Sequence, residues 1–315
     1  MFAARCLGVS LAVFVLLYIS LSVAVGRGWK LVSRVFRPGS TRGSADLLFV
    51  LRMVPFALSC AFTLAFTLPS FLLLEPRGTD EAIGTAPIAL GLCCLALFGI
   101  GLLRAYAAQV KTARAMTEWL NGASVMEYGP EATVLQTGKH SPSLTVAGVC
   151  APKVLVSEDA VATLTPSELR TALRHEMAHV RRYDNLKKLL FRFSVFPGMN
   201  NLERAWSEEA EMAADDAAVS SFRDALDLAA ALIKVSRLGP IQSSAELTTG
   251  LLHSSTALSV RIQRLFGWDK TQASQPASLR WRYALPTAAV TVIILVTSYN
   301  SVLTQMHAVT EWLVR

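Results

Sequence analysis

Four stretches of this chain are long and uncharged enough to cross a lipid bilayer, and that restricts the fold before anything else does. A membrane-spanning helix needs roughly 20 consecutive apolar residues. Such runs extend over Leu7 to Val25, Met53 to Leu74, Ala82 to Leu103, and from near Tyr283 to Val302. Composition agrees: 52% of residues are hydrophobic, and only 17% are charged, against about 25% in a typical soluble protein. Pro55 and Pro69 fall inside the second run, where membrane helices tolerate proline as a kink. A secretory signal is the alternative for the first run, which has a short basic start. Its length, and the lack of a clear small-residue cleavage site before the next basic segment, favour a span.

The loops between the runs carry an orientation. Arg27, Lys30, Arg34, Arg37 and Arg42 lie between the first two, with Asp46 as the one acid. Glu75, Arg77, Asp80 and Glu81 lie between the second and third. Arg104, Lys111 and Arg114 follow the third, and Arg280 and Arg282 precede the fourth. Positive residues favour the cytoplasmic side. All the basic loops share one side if the N-terminus is outside, which places residues 105–282 in the cytoplasm and the protein in the cell (inner) membrane. The net charge of +7 is then largely a topology signal, with contact to anionic lipid. It gives no reason to expect direct nucleic-acid binding. Three of the five cysteines, Cys60, Cys93 and Cys94, sit inside the apolar runs, and no pair has zinc-ribbon or disulfide-framework spacing.

The region between the third and fourth runs, about 175 residues, is long enough for a core of its own. Residues 105–127 read as a helix continuing from the third run. The segments "TVLQTG", "SLTVAG" and "KVLVS", within 132–157, are β-branched runs punctuated by Gly138, Pro142, Gly148 and Pro152. They predict a small sheet of two or three strands. A helix is expected from Pro166 to about Leu190. Thr165 is its N-cap, Pro166 its first residue, and Glu168 completes a capping box. Leu164 and Leu169 fill the positions of a hydrophobic staple. Further helices are expected over about Leu202 to Ser220, over "RDALDLAAALIKVSRLG", which closes on Gly239, and over "ALSVRIQRLFG".

On the first of these helices lies "HEMAH". His175 and His179 are one turn apart on one face, close enough to hold one ion. Glu176, on the adjacent face, can act on a water there. This is the HExxH arrangement, in which the glutamate is a general base and not a ligand. The plainer alternative is an amphipathic helix with two solvent-facing histidines. A catalytic zinc takes three protein ligands and leaves a position open. The second helix offers Glu208, Glu211 and Asp215 at i, i+3 and i+7, among alanines. A solvated acidic face is the alternative there, chiefly for Glu208 and Glu209.

The combination "HEMAHVRRYDNLKKLL … W…EEAEMAADDAAV" resembles the BlaR/MecR antirepressor family of integral-membrane zinc metallopeptidases. The resemblance covers roughly residues 105–265 and the order of three spans, protease, one span. It implies a mainly α membrane protein with four transmembrane helices and a cytoplasmic α+β, zincin-like metallopeptidase domain of the glutamate type. The divisions would be 1–104 for three spans, 105–266 for the domain, 267–282 for a linker, 283–304 for the fourth span and 305–315 for a tail. It implies one Zn2+ held by His175, His179 and Glu211, with Glu176 as the base. Asp215 would hydrogen-bond a ligand histidine, chiefly His175, and Asp184 matches a further family position with a structural alternative. Tyr183 and His253 are candidates for stabilising an oxyanion, with a structural role as the weightier alternative for each. An edge strand at Ala147, Gly148 and Val149 would pair with an extended substrate. His140 and His307 read as incidental.

The expected substrate class is a cytoplasmic protein, with a DNA-binding repressor or the chain itself as candidates. The best-known members carry an extracellular penicillin-binding sensor after the last span. No Ser-x-x-Lys acylation site of that kind occurs here, so β-lactam sensing by this chain alone is not expected. Another subunit, the short outer loop at 75–81 or the bilayer itself would supply the trigger, and a sensor subunit or a second copy of the chain is an expected partner. Two other readings stand beside this one. The first is a quality-control protease resembling the HtpX and prenyl-protein proteases, which usually have a longer insertion than the 32-position step from His179 to Glu211. The second is a zinc-binding signalling scaffold without catalysis.

Overall fold

A computed structural model describes residues 2–32, 40–76, 84–126, 133–138, 141–238, 247–250, 255–268 and 297–312. The chain is mostly helical, with a small sheet. Three helices are long and apolar enough to cross a membrane: α1 (Phe2–Val32), a 34-residue helix over Thr41–Leu74, and α4 (Thr85–Trp119). Leu7, Leu64, Leu73, Leu92 and Leu103 on these helices are each more than half exposed, as lipid-facing side chains would be. Residues 269–296, with most of the fourth run, lie outside the described residues. Residues 297–312 form a helix, α11, which reaches into the segment expected as a tail.

The second helix has three parts: α2 (Thr41–Phe62), a π-helical turn (Thr63–Thr67) and α3 (Leu68–Leu74). Pro69 has no N–H to give to the helical ladder. The Leu68 N–H reaches back to the Thr63 carbonyl, so a widened turn keeps the helix continuous where a kink was expected. α2 also starts twelve residues before the apolar run. Ser40 caps it by accepting from the Gly43 N–H at 3.2 Å, and residues 41–52 dock on the sheet domain.

Five strands make the sheet, in the order β1-β2-β4-β3-β5. They are β1 (Ser124–Met126), β2 (Val134–Thr137), β3 (Leu144–Ala147), β4 (Lys153–Ser157) and β5 (Thr248–Gly250). β2 and β4 are parallel, and the other pairs are antiparallel. Side chains alternate across it. Val134, Val146, Val154 and Val156 face one core with Leu173 and Met177. Leu135, Ala147 and Leu155 face another with Ala115 and Trp119 at the inner end of α4. Burial on both faces explains why these strands read as short apolar runs.

Two expectations are corrected here. The sheet gains β1 and β5 from outside residues 132–157. β5 then displaces β3 from the edge: Ala147 pairs with both Lys153 and Thr248. Ala147 therefore has no open strand edge to offer an extended substrate, and Gly148 and Val149 lie beyond the paired register. β5 is held by tertiary contacts that no local pattern encodes. Lys188 Nζ donates to the Thr248 carbonyl at 2.6 Å, and the Leu247 N–H donates to Thr112 Oγ1 at 3.1 Å.

After the sheet come α5 (Glu158–Thr163), α6 (Pro166–Arg181), α7 (Asp184–Phe193), α8 (Asn200–Ala218), α9 (Phe222–Arg237) and α10 (Ser255–Phe266). Both halves of the capping box on α6 form: the Thr165 N–H donates to Glu168 at 2.8 Å, and Thr165 Oγ1 accepts from the Glu168 N–H. The domain is clamped to the spans. Arg52 on α2, fully buried, donates to the Ser194 carbonyl and to Glu203. Tyr18 on α1 donates to the Val195 carbonyl at 3.0 Å. Trp206 of α8 packs on Phe191, Ala45 and Leu48; burying a side chain of that size contributes about 3 kcal/mol.

Candidate metal centre

The helix expected to run from Pro166 to about Leu190 breaks at Arg182 and Tyr183. Tyr183 has φ 55 and ψ 39, the one non-glycine positive φ among the described residues. That left-handed residue ends α6 and redirects the chain into α7. The break brings Asp184, the first residue of α7, back against α6. His179 Nδ1 and Asp184 Oδ2 are 2.7 Å apart, with both side chains buried. On an uninterrupted helix, residues five apart would point away from one another. Asn185, the next residue, donates to the carbonyls of Val146 and Gly148 and so fixes α7 to the sheet.

His175 and His179 are buried, which removes the solvent-facing alternative. Their Nε2 atoms face one another at 3.2 Å. α8 crosses the same point. Glu211 places Oε2 at 3.5 Å from His175 Nε2 and Oε1 at 3.7 Å from His179 Nε2. Asp215, one turn further on, stands with Oδ1 2.9 Å from His175 Nδ1. Each imidazole thus has a carboxylate behind it and an Nε2 aimed at one shared point. Glu208, the remaining candidate acid on α8, is exposed and takes no part. The alanines of α8 allow this approach: Ala210, Ala213 and Ala214 are all buried.

Glu176 is fully buried, and neither of its oxygens has a hydrogen-bond partner among the described residues. An unpartnered buried carboxyl costs several kcal/mol unless it takes up a proton or gains a partner. Burial pushes it up to about 7, with His175 and His179 pulling against that. For His175, burial works to lower the value. Its bonds to Asp215 and Glu211 outweigh burial and hold the imidazolium at about 9. Burial raises Glu211 as well, but His179, Arg261 and His175 together hold it well below the usual carboxylate range.

Arg261, on α10, was not singled out in the sequence. It is buried, with Nη1 3.0 Å from Glu211 Oε2, Nη2 2.6 Å from Asp215 Oδ1 and Nε 2.8 Å from Asp215 Oδ2. Its stretch, "SVRIQRLF", was legible as an amphipathic helix. An arginine there reads as an ordinary surface charge, and only the 46 residues of chain folded back to Asp215 show otherwise. Of the two oxyanion candidates, Tyr183 is 65% exposed at the helix break, apart from the buried cluster in environment. His253 lies outside the described residues, as does His140.

The donor set fits a divalent ion. Single ligand atoms of His175, His179 and Glu211 lie within 4.8 Å of one another, all on buried residues. Two imidazoles with one carboxylate suit zinc and its neighbours among the divalent metals. Comparison of the chain with family models finds no match, and comparison with curated proteins finds none either.

Proposed function

We propose that this chain is a membrane-embedded zinc metalloendopeptidase acting on cytoplasmic protein substrates, of the kind the BlaR/MecR resemblance implies. The observation that carries this reading is Glu176: a fully buried, unpartnered carboxyl beside two imidazoles that aim at one point. A site that only held an ion would have no use for it. His175, His179 and Glu211 would hold the ion, which supplies Lewis-acid chemistry when bound, polarising a carbonyl and making water more acidic.

The chain's own residues would do the rest. Glu176, poised near neutrality by burial, takes a proton from the attacking water and delivers it to the leaving amine. Asp184 and Asp215 fix the tautomers of His179 and His175, so that both Nε2 atoms stay available. The bias of basic loops supports a cytoplasmic domain, with a DNA-binding repressor, or this chain itself, as the candidate substrate.

One observation favours the non-catalytic scaffold instead. Arg261 already sits against Glu211 and Asp215, which gives the site a resident cation. The two readings separate on Glu176→Gln, which keeps the ligands and removes the base. New protein N-termini would be compared across host cells carrying the wild type or this variant. Cytoplasmic N-termini found only with the wild type establish the protease and name its substrates. Identical profiles across several envelope stresses would move the scaffold ahead.

A further inference from the structure

We propose a second divalent-cation site at the opposite end of the helix bundle, formed by Glu75, His307 and Glu311. The HExxH centre lies near the end of the second span that carries Arg52. Glu75 follows the other end of that helix, 23 residues on, which at helical rise is roughly 35 Å away. His307, set aside in the sequence as incidental, lies there against Glu75. It sits on α11, one turn from Glu311, with the same i, i+4 spacing as His175 and His179. Ser70 Oγ donates to the Leu303 carbonyl and Tyr299 to the Ala65 carbonyl, which holds α11 against the second span.

His307 stands between two carboxylates without a hydrogen bond to either. His307 Nδ1 is 3.7 Å from Glu75 Oε2, and Nε2 is 3.7 Å from Glu311 Oε1. Both exceed hydrogen-bond length, about 3.2 Å. An imidazole gives one nitrogen to an ion, and the Nδ1–Glu75 distance approaches the separation of about 3.4 Å between two ligand atoms that each lie about 2.1 Å from one tetrahedral ion. His-to-Glu distances of this size also occur in the inner centre, at 3.5 and 3.7 Å, there from the Nε2 atoms of two histidines to one glutamate. One ligand atom from each of Glu75, His307 and Glu311 lies within 4.8 Å of the others. His307 Nδ1 is a buried atom with no hydrogen-bond partner among the described residues. Glu75 is 93% buried as a side chain, and its Oε1 is held by Arg5 at 3.0 Å. That leaves Oε2 turned to His307. Arg5 therefore orients Glu75 from behind, as the aspartates orient the inner histidines.

One imidazole and two carboxylates suit Zn2+ or a neighbouring divalent transition ion. An ion here would tie α11 to the end of the second span and, through Arg5, to the start of α1. It would make the stability of the bundle depend on cation concentration on that side. Nothing in this proposal rests on the inner site being catalytic.

The test is zinc stoichiometry on the full-length, tag-free chain in detergent, equilibrated with Zn2+ and measured by elemental analysis. The expected result is two ions per wild-type chain, and one for His307→Ala, for Glu311→Gln and for the double change His175→Ala/His179→Ala. Glu311 is half exposed, so its variant keeps the fold even if the histidine change does not. Equal stoichiometry in the wild type and Glu311→Gln, with full loss in the inner double variant, would overturn the proposal. A single ion lost with His307→Ala but kept in the inner double variant would uphold it and count against the inner metal centre.

Discussion

Arg261 grips both carboxylate oxygens of Asp215, with Nη2 2.6 Å from Oδ1 and Nε 2.8 Å from Oδ2. The third nitrogen, Nη1, stands 3.0 Å from Glu211 Oε2. One guanidinium therefore compensates two buried acids that also face the histidines. Removing one partner from a buried ion pair costs about 3–5 kcal/mol, because a charge is left behind without compensation. Arg261→Gln should lower the melting temperature of the ion-free protein most, and zinc should restore part of the loss. Melts in chelator and in excess Zn2+ decide this. An equal drop in both would show that Arg261 does not act through the charge of the ion site.

Asp184 reaches His179 only because Tyr183 turns the chain. Asp184→Asn keeps the size and loses the charge behind His179 Nδ1. Changes of this kind typically cost about 10–100-fold in metal affinity. Competition with a chromogenic chelator measures it. Affinity within twofold of wild type would mean that His179 is held in place by packing alone.

Glu168 joins the N-cap of α6 to Lys234 of α9, 2.7 and 2.9 Å away. Burial raises its pKa, but Lys234 and the Thr165 N–H outweigh that and hold it below the ordinary value. The folded pKa is depressed, so its contribution is present above the unfolded value, about 4.3, and is lost as pH falls through the folded value. Melting temperature followed from pH 6 downward should fall more steeply for wild type than for Glu168→Gln in that window. Parallel curves would assign the acid sensitivity elsewhere. Thr165→Ala, which removes the cap itself, should cost about 1 kcal/mol.

Gly101 marks the closest approach of α4 to the end of α7. A Cβ there would run into the Phe193 carbonyl, which is backbone and cannot swing aside. Gly101→Ala should destabilise the protein by about 1–3 kcal/mol, in the range for overpacked sites, whereas Gly99→Ala, with open space around it, should not. Thermal melts of the two variants in detergent compare them directly; equal stability would show that α7 is free to shift off α4.

What could be read from the sequence was what repeats over short distances. Three of the apolar runs are helices, because a bilayer leaves a chain no other way to pair its own backbone groups. The Thr165–Glu168 box and the HExxH spacing are each complete within a few residues, and they placed α6 and its two histidines together. Glu208, Glu211 and Asp215 could not be told apart by spacing, since all three lie on one helical face. Burial separated them, because α8 turns Glu211 and Asp215 inward and leaves Glu208 to solvent.

The remaining features needed the fold. The break at Tyr183 was hidden because a left-handed tyrosine has no sequence signature of its own. β5 took the sheet edge expected at Ala147, through contacts to Thr112 and Lys188 that lie far off in the chain. Arg261 joins Asp215 across 46 residues, and His307 meets Glu75 across 232. Periodicity and capping are local, so the sequence by itself determined three long apolar helices, the capped helix and the paired histidines. Charge compensation between distant segments is set by which surfaces pack together, and that was decided only by the tertiary structure.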